Sequence, residues 1–127
     1  MTENDISFKI RGCAFKVHNK LGPGLLESVY EAALTHELRQ EGLVIRTQVG
    51  VPLVYDELKF EVGFRLDLLV EEKVVVEIKS VDALADVHYK QLLTYLKLTD
   101  RKLGLLINFN VARLEDKISL VRIGNFY

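Results

Sequence analysis

Ile6, Ile10, Cys13, Ala14, Val17 and Leu21 recur at steps of three and four, the spacing of one helix face, and Gly22-Pro23 ends the run. A second helix is expected from Pro23 to Gln40, with Leu26, Val29, Tyr30, Ala33, Leu34 and Leu38 on its apolar arc and Glu27 inside that arc. From Leu43 to Tyr55 apolar positions alternate, as in a half-buried strand, and Asp56-Glu57 makes a turn. The strand that follows puts Phe60, Val62, Phe64, Leu66 and Leu68 on one face and Gly63, Arg65, Asp67 and Leu69 on the other. Val74 to Lys79 is a third strand, so nearly continuous in apolar residues that burial on both sides is implied. Helical spacing returns from Asp86 to Leu98, with Tyr89, Leu92, Tyr95 and Leu96 on one arc and Gln91 at its border. Lys102 to Asn108 reads as a buried strand and Ile118 to Ile123 as a peripheral last one. The order is αα-βββ-α-ββ, which predicts a mixed α/β fold: an antiparallel meander, then a helix crossing over to a parallel strand. No repeat, low-complexity tract or linker interrupts it, so residues 1–127 are read as a single domain.

Glu71-Glu72-Lys73 is the only polar break between the second and third strands. Taken as a three-residue loop, it pairs Val70 with Val74, sets Asp67 opposite Glu77, and sets Arg65 opposite Lys79. A loop one residue shorter or longer would slip Glu77 against Leu66 or Leu68. Directly opposed like charges destabilise a sheet by roughly 0.2–1 kcal/mol, so the pair calls for a bound cation or a wet face. Glu77 and Lys79 have an alternative reading as edge-strand or ion-paired charges. Glu27, at the start of its helix, has one as a carboxylate favoured by the helix dipole.

The carboxylates of Glu27, Asp67 and Glu77 and the carbonyl of Ile78 are oxygens of the kind a hard divalent cation takes, magnesium by default or manganese. Such an ion polarises a phosphate oxygen and acidifies a bound water, while Lys79, on the same strand face as Glu77, can orient that water or stabilise developing charge. The corresponding reaction is phosphodiester hydrolysis. Composition changes this picture in one respect. Hydrophobic residues make up 49% and charged residues 28%, an ordinary globular balance, but the net charge of −1 provides no global basic field. Nucleic-acid contacts therefore need a local patch, for which Arg65, Lys90, Lys97 and Arg101-Lys102 are candidates; a merely solvated face is the alternative. The lone Cys13 excludes an intrachain disulfide and fits a reducing cytoplasm. No apolar run approaches the roughly 18 residues of a spanning helix, so a cytoplasmic protein without membrane contact is expected. His18, His36 and His88 lack metal-ligand spacing, and Ser28 and Ser80 have no evident base partner.

Asp67, the Glu77-Ile78-Lys79 triplet and the element order together resemble the PD-(D/E)XK nuclease superfamily, over most of the chain. Within it, Gly24-Leu25-Leu26-Glu27-Ser28-Val29-Tyr30 looks like the signature of the GxxExxY family. The resemblance implies a restriction-endonuclease-like core with Asp67 as the motif aspartate, Glu77 and Lys79 as its E-x-K, and Glu27 as the acidic residue of the preceding helix. It also implies that Gln91 holds the phosphate or the water, with Tyr95 bounding the pocket or reaching the nucleic-acid backbone. Leu66 stands where the motif's name has proline. The function so implied is a magnesium- or manganese-dependent nuclease hydrolysing nucleic-acid phosphodiester bonds, with a non-catalytic nucleic-acid-binding or accessory module as the alternative; between the two nucleic acids, DNA is favoured over RNA as the partner. The small size argues for a homodimer or a partner protein.

Overall fold

The computed structural model describes residues 1–126. Helix α1 (Glu3–Leu21) opens on a capping box: the Thr2 hydroxyl accepts from the Asp5 N–H at 3.2 Å, and the Asp5 carboxylate accepts from the Thr2 N–H at 3.0 Å. Gly22, at φ +67°, ends it. Helix α2 (Glu27–Gln40) starts at Glu27 rather than Pro23. The intervening segment is an irregular loop in which Gly24 takes φ +97°, a conformation no helix interior admits.

Strands β1 (Ile45–Tyr55), β2 (Leu58–Val70) and β3 (Val74–Lys79), helix α3 (Asp86–Leu98), and strands β4 (Leu103–Asn108) and β5 (Leu120–Gly124) complete the predicted order. The five strands form one mixed sheet in the order β1-β2-β3-β4-β5, with β3 and β4 parallel and every other pair antiparallel. The crossover through α3 makes that parallel pair, as the alternation of strand and helix required. This is the mixed α/β, restriction-endonuclease-like architecture anticipated from the sequence.

Two apolar cores sandwich the sheet. On one face α1 and α2 bring Ile6, Ile10, Tyr30, Leu34 and Leu38 against Leu68, Val70, Val76 and Ile78. On the other, Leu92 and Leu96 of α3 pack on Leu66, Leu69, Val75 and Leu106. Covered on both sides, β3 and β4 are buried through almost their whole length, which accounts for their unbroken apolar runs. Gly104 lets α3 sit close: a Cβ there would meet Leu92 Cδ1 at 2.9 Å.

The β2–β3 connection is the expected three-residue loop, closed by Lys73 N–H to Val70 carbonyl at 3.0 Å. Glu71 and Glu72 both take left-handed φ, +54° and +56°, as a tight hairpin turn demands at its central positions. Side chains offset that strain. The Glu71 carboxylate accepts from the Val44 N–H at 3.0 Å, and Glu72 pairs with Arg46 at 2.9 Å. At the opposite end β1 and β2 run on as a two-stranded ribbon that leaves Val54, Tyr55, Leu58 and Phe60 exposed. Among the described residues, no helix is long and apolar enough to cross a membrane.

Candidate functional site

The β2–β3 ladder runs through Val70–Val74, Leu69–Val75 and Leu68–Val76 and then stops. Asp67 and Glu77 stand next in step, and their side chains take over from the backbone. The Asp67 N–H donates to Glu77 Oε2 at 2.8 Å, and the Ile78 N–H donates to Asp67 Oδ2 at 2.8 Å. Each carboxyl thus satisfies a peptide N–H of the other strand, in place of the missing ladder bonds. The expected facing of Asp67 and Glu77 is present. Arg65 does not face Lys79, because the strands have parted before that position; Arg65 instead pairs in register with Gly50 of β1.

Asp67 also marks a change of face. Leu68 and Val70 pack toward α1 and α2, whereas Phe64 and Leu66 pack toward α3, so the expected single face from Phe60 to Leu68 is broken at Asp67. The same switch occurs in β1, where Ile45 joins the first core and Val49 and Val51 join the second. Between them Gln48 adopts φ +49°. Thr47–Leu68 and Val49–Leu66 flank this point, so Gln48 and Asp67 lie across from each other where the ribbon twists out of the main sheet.

Burial raises both carboxyl pKa values. Glu77 is 4% exposed, and burial, reinforced by the Asp67 charge, pushes it up to about 8, against the opposing pull of the Asp67 N–H and of Lys79. Asp67 is also raised, chiefly by burial and further by Glu27; the Ile78 N–H, Lys79 and Gln48 oppose the shift. A buried and a half-buried carboxyl, side by side and each raised in pKa, are groups whose charged forms a cation would stabilise.

Lys79 is half-buried, its Nζ donating to Gln91 Oε1 of α3 at 3.5 Å. One turn on, Tyr95 stacks on Phe64 with ring centroids 4.4 Å apart, and its hydroxyl pKa is raised first by burial and then by Glu77 and Asp67. Gln91 and Tyr95 therefore border the carboxylate pair from α3.

Glu27 is exposed, not enclosed in an apolar arc as the sequence suggested; Leu26 and Val29 are exposed with it, and the buried side of α2 is Tyr30, Leu34, Thr35 and Leu38. The first turn of α2 overhangs the end of β3, beyond the packed core. Glu27 Oε2 accepts from the Ser80 N–H at 3.3 Å, while the Ser80 hydroxyl donates to the Leu25 carbonyl at 2.8 Å. The signature residues on either side build this overhang. Gly24 supplies the left-handed turn and donates its N–H to Asn110 Oδ1 at 3.0 Å; the buried Tyr30 hydroxyl donates to the Gly22 carbonyl at 2.6 Å and accepts from the Leu25 N–H at 3.1 Å.

Two further residues join the site without having been singled out from the sequence. Glu31, one turn after Glu27, is half-buried and accepts from Gln48 Nε2 at 2.7 Å; its pKa is raised by burial, and the charges of Asp67 and Glu27 add to the shift. Gln48 Nε2 also reaches Asp67 Oδ1 at 3.4 Å. The four-residue spacing of Glu27 and Glu31 was a usable signal. Arg65, Lys90 and Lys97 are exposed, and among the described residues none forms an ion pair.

The donors offered here are hard oxygens: Asp67 and Glu77 each give one oxygen to a backbone N–H, and the second Asp67 oxygen, reached by Gln48 only at 3.4 Å, keeps a lone pair for a ligand, as does the second Glu77 oxygen. Among the described residues, however, no three Asp, Glu, His or Cys side chains are already gathered as a metal cluster. Neither a curated protein nor a solved structure matches the chain. A family model described as the PD-(D/E)XK nuclease superfamily matches residues 4–121, and with Asp67, Glu77 and Lys79 standing at the parting of β2 and β3, the chain belongs to that superfamily.

Proposed function

We propose that this chain is a metal-dependent nuclease of the GxxExxY type that hydrolyses phosphodiester bonds of DNA. A nuclease-type function and a nucleic-acid substrate follow from the superfamily, whose members generally use divalent metal ions. The observation that carries the finer reading is the Asp67–Glu77 pair, a half-buried and a buried carboxyl each held by a backbone N–H of the other strand, with Lys79 alongside.

The residues fit a magnesium or manganese ion by the chemistry of their donors, with Asp67, Glu77 and the Ile78 carbonyl as core ligands and Glu27 as a third carboxylate. Bound there, the ion supplies Lewis-acid polarisation of the phosphate and acidifies water. Lys79 stabilises negative charge on the phosphate, its ammonium kept in place by Gln91. Gln91 contributes its amide to the phosphate or the attacking water. Tyr95, braced by Phe64, walls the pocket, and Arg65, Lys90 and Lys97 contact the nucleic-acid backbone. A second copy of the chain or a partner protein adds recognition surface beside the site. The single, buried Cys13 suits a cytoplasmic setting.

The test is cleavage of single-stranded, duplex and branched DNA and RNA by the purified protein with magnesium or manganese. Asp67→Asn and Lys79→Ala are each expected to lower the rate by about 10²-fold or more while the protein stays folded. Absence of cleavage on every substrate, with no manganese binding by calorimetry, rejects the proposal. One observation favours a second reading, a non-catalytic nucleic-acid-binding or accessory module: the third carboxylate, Glu27, is exposed and already engaged with Ser80. On that reading both substitutions leave function intact.

A further inference from the structure

We infer that Gln48 is a positioning residue that fixes the orientation of the Asp67 carboxylate and couples it to α2 through Glu31, an inference that rests on the nuclease reading above. The Gln48 side-chain nitrogen lies 2.7 Å from Glu31 Oε1 and 3.4 Å from Asp67 Oδ1. Both partners are carboxylate oxygens, so the amide has one sensible orientation, with its NH2 between them, and that group's two N–H bonds serve one acceptor each. Since Ile78 N–H already holds Asp67 Oδ2, Gln48 engages the remaining oxygen and sets the plane of the carboxylate.

The residue type matters as much as the distances. An arginine or lysine here would bring the same donors with a positive charge and would compete with a cation for the carboxylates; a neutral amide offers donors and leaves the negative charge in place. The backbone points the same way. Gln48 sits at φ +49°, where glycine is the least strained residue, in the middle of a strand and across from Asp67. A glutamine kept at such a position holds strain that its side-chain contacts offset, a pattern found where geometry must be exact enough for ligand binding.

That conflict between backbone and side chain supplies a clean test. Gln48→Gly relieves the left-handed strain and removes the amide; Gln48→Asn tolerates the same backbone but is one methylene too short to bridge both carboxylates. Each variant is compared with the full wild-type chain in two measurements: metal-free thermal unfolding, and manganese binding by calorimetry well below the transition. The expected result is an unfolding temperature equal to or above wild type for Gln48→Gly, with manganese affinity weakened by roughly 10–100-fold in both variants. Wild-type affinity in both variants overturns the inference while leaving the nuclease reading intact. A lowered unfolding temperature with affinity retained overturns it too, by showing a structural role only. Failure of the wild-type chain itself to bind manganese removes the nuclease reading and this inference together, and is distinguishable because it appears before any substitution is made.

Discussion

The two ends of β2 are built on opposite terms. From Leu66 to Val70 the strand is buried, with helices on both faces of the sheet, and next to the site it relies on carboxylates to satisfy peptide N–H groups. From Leu58 to Val62 it is exposed and pairs with β1 alone. The inner end obtains its stability from burial and can therefore hold two carboxyls whose pKa values burial raises; the outer ribbon has no such reserve, and a two-stranded ribbon by itself is marginal in water. Carboxyls of high electrostatic cost belong where packing is dense, and here they stop where the packing stops.

The comparison can be broken most severely at its inner end. Leu66→Ala, at a side chain 1% exposed beside Asp67, is expected to cost about 2–5 kcal/mol in denaturant unfolding, since α3 cannot collapse into the void without moving Gln91 and Tyr95. The pH dependence follows next in size. Glu77 has its folded pKa raised from 4.5 to about 8, so the native state holds a proton that the unfolded chain has released. Metal-free stability is therefore greatest near and below the ordinary carboxylate value and falls as pH rises through that window. Glu77→Gln keeps an oxygen acceptor for the Asp67 N–H and should flatten the decline; a wild-type unfolding midpoint that stays level from pH 5 to about pH 8 contradicts the shift.

A smaller effect is expected where α2 meets the site. Tyr30→Phe leaves the Gly22 carbonyl and the Leu25 N–H without their partner and should cost on the order of 1 kcal/mol. It should also weaken manganese binding, because the loop that presents Glu27 loses its anchor; unchanged affinity would detach Glu27 from the site. At the outer end Leu58→Ser, at a side chain 58% exposed, should change stability by no more than about 0.5 kcal/mol. A loss as large as that of Leu66→Ala would mean that the ribbon is covered in solution by a second copy or a partner.

Much of this was legible in the chain because burial writes itself into residue type. The unbroken apolar runs of β3 and β4 announced strands covered on both faces, and Glu71-Glu72-Lys73, as the sole polar break, fixed the hairpin register and with it the Asp67–Glu77 pairing. What escaped was encoded in backbone geometry. A left-handed glutamine looks like any other glutamine, so neither the face switch at Gln48 and Asp67 nor the loss of an Arg65–Lys79 pairing could be read from alternation. Glu27 is exposed for a different reason: a helical wheel gives the angle of a residue and not how far along the helix the core reaches, and the first turn of α2, with Glu27 and Val29, lies beyond that core. Glu31 lay within reach of the four-residue rule but carried no motif to call it out.

The reciprocal bonds of Asp67 and Glu77 give the motif a second reason to persist. If its chemistry became dispensable in some descendant, the peptide N–H groups of Asp67 and Ile78 would still demand acceptors, so drift should be channelled toward asparagine and glutamine before alanine. A folded, inactive relative with alanine at both positions would contradict this. Retired members of such a lineage should wear amides where working ones wear acids.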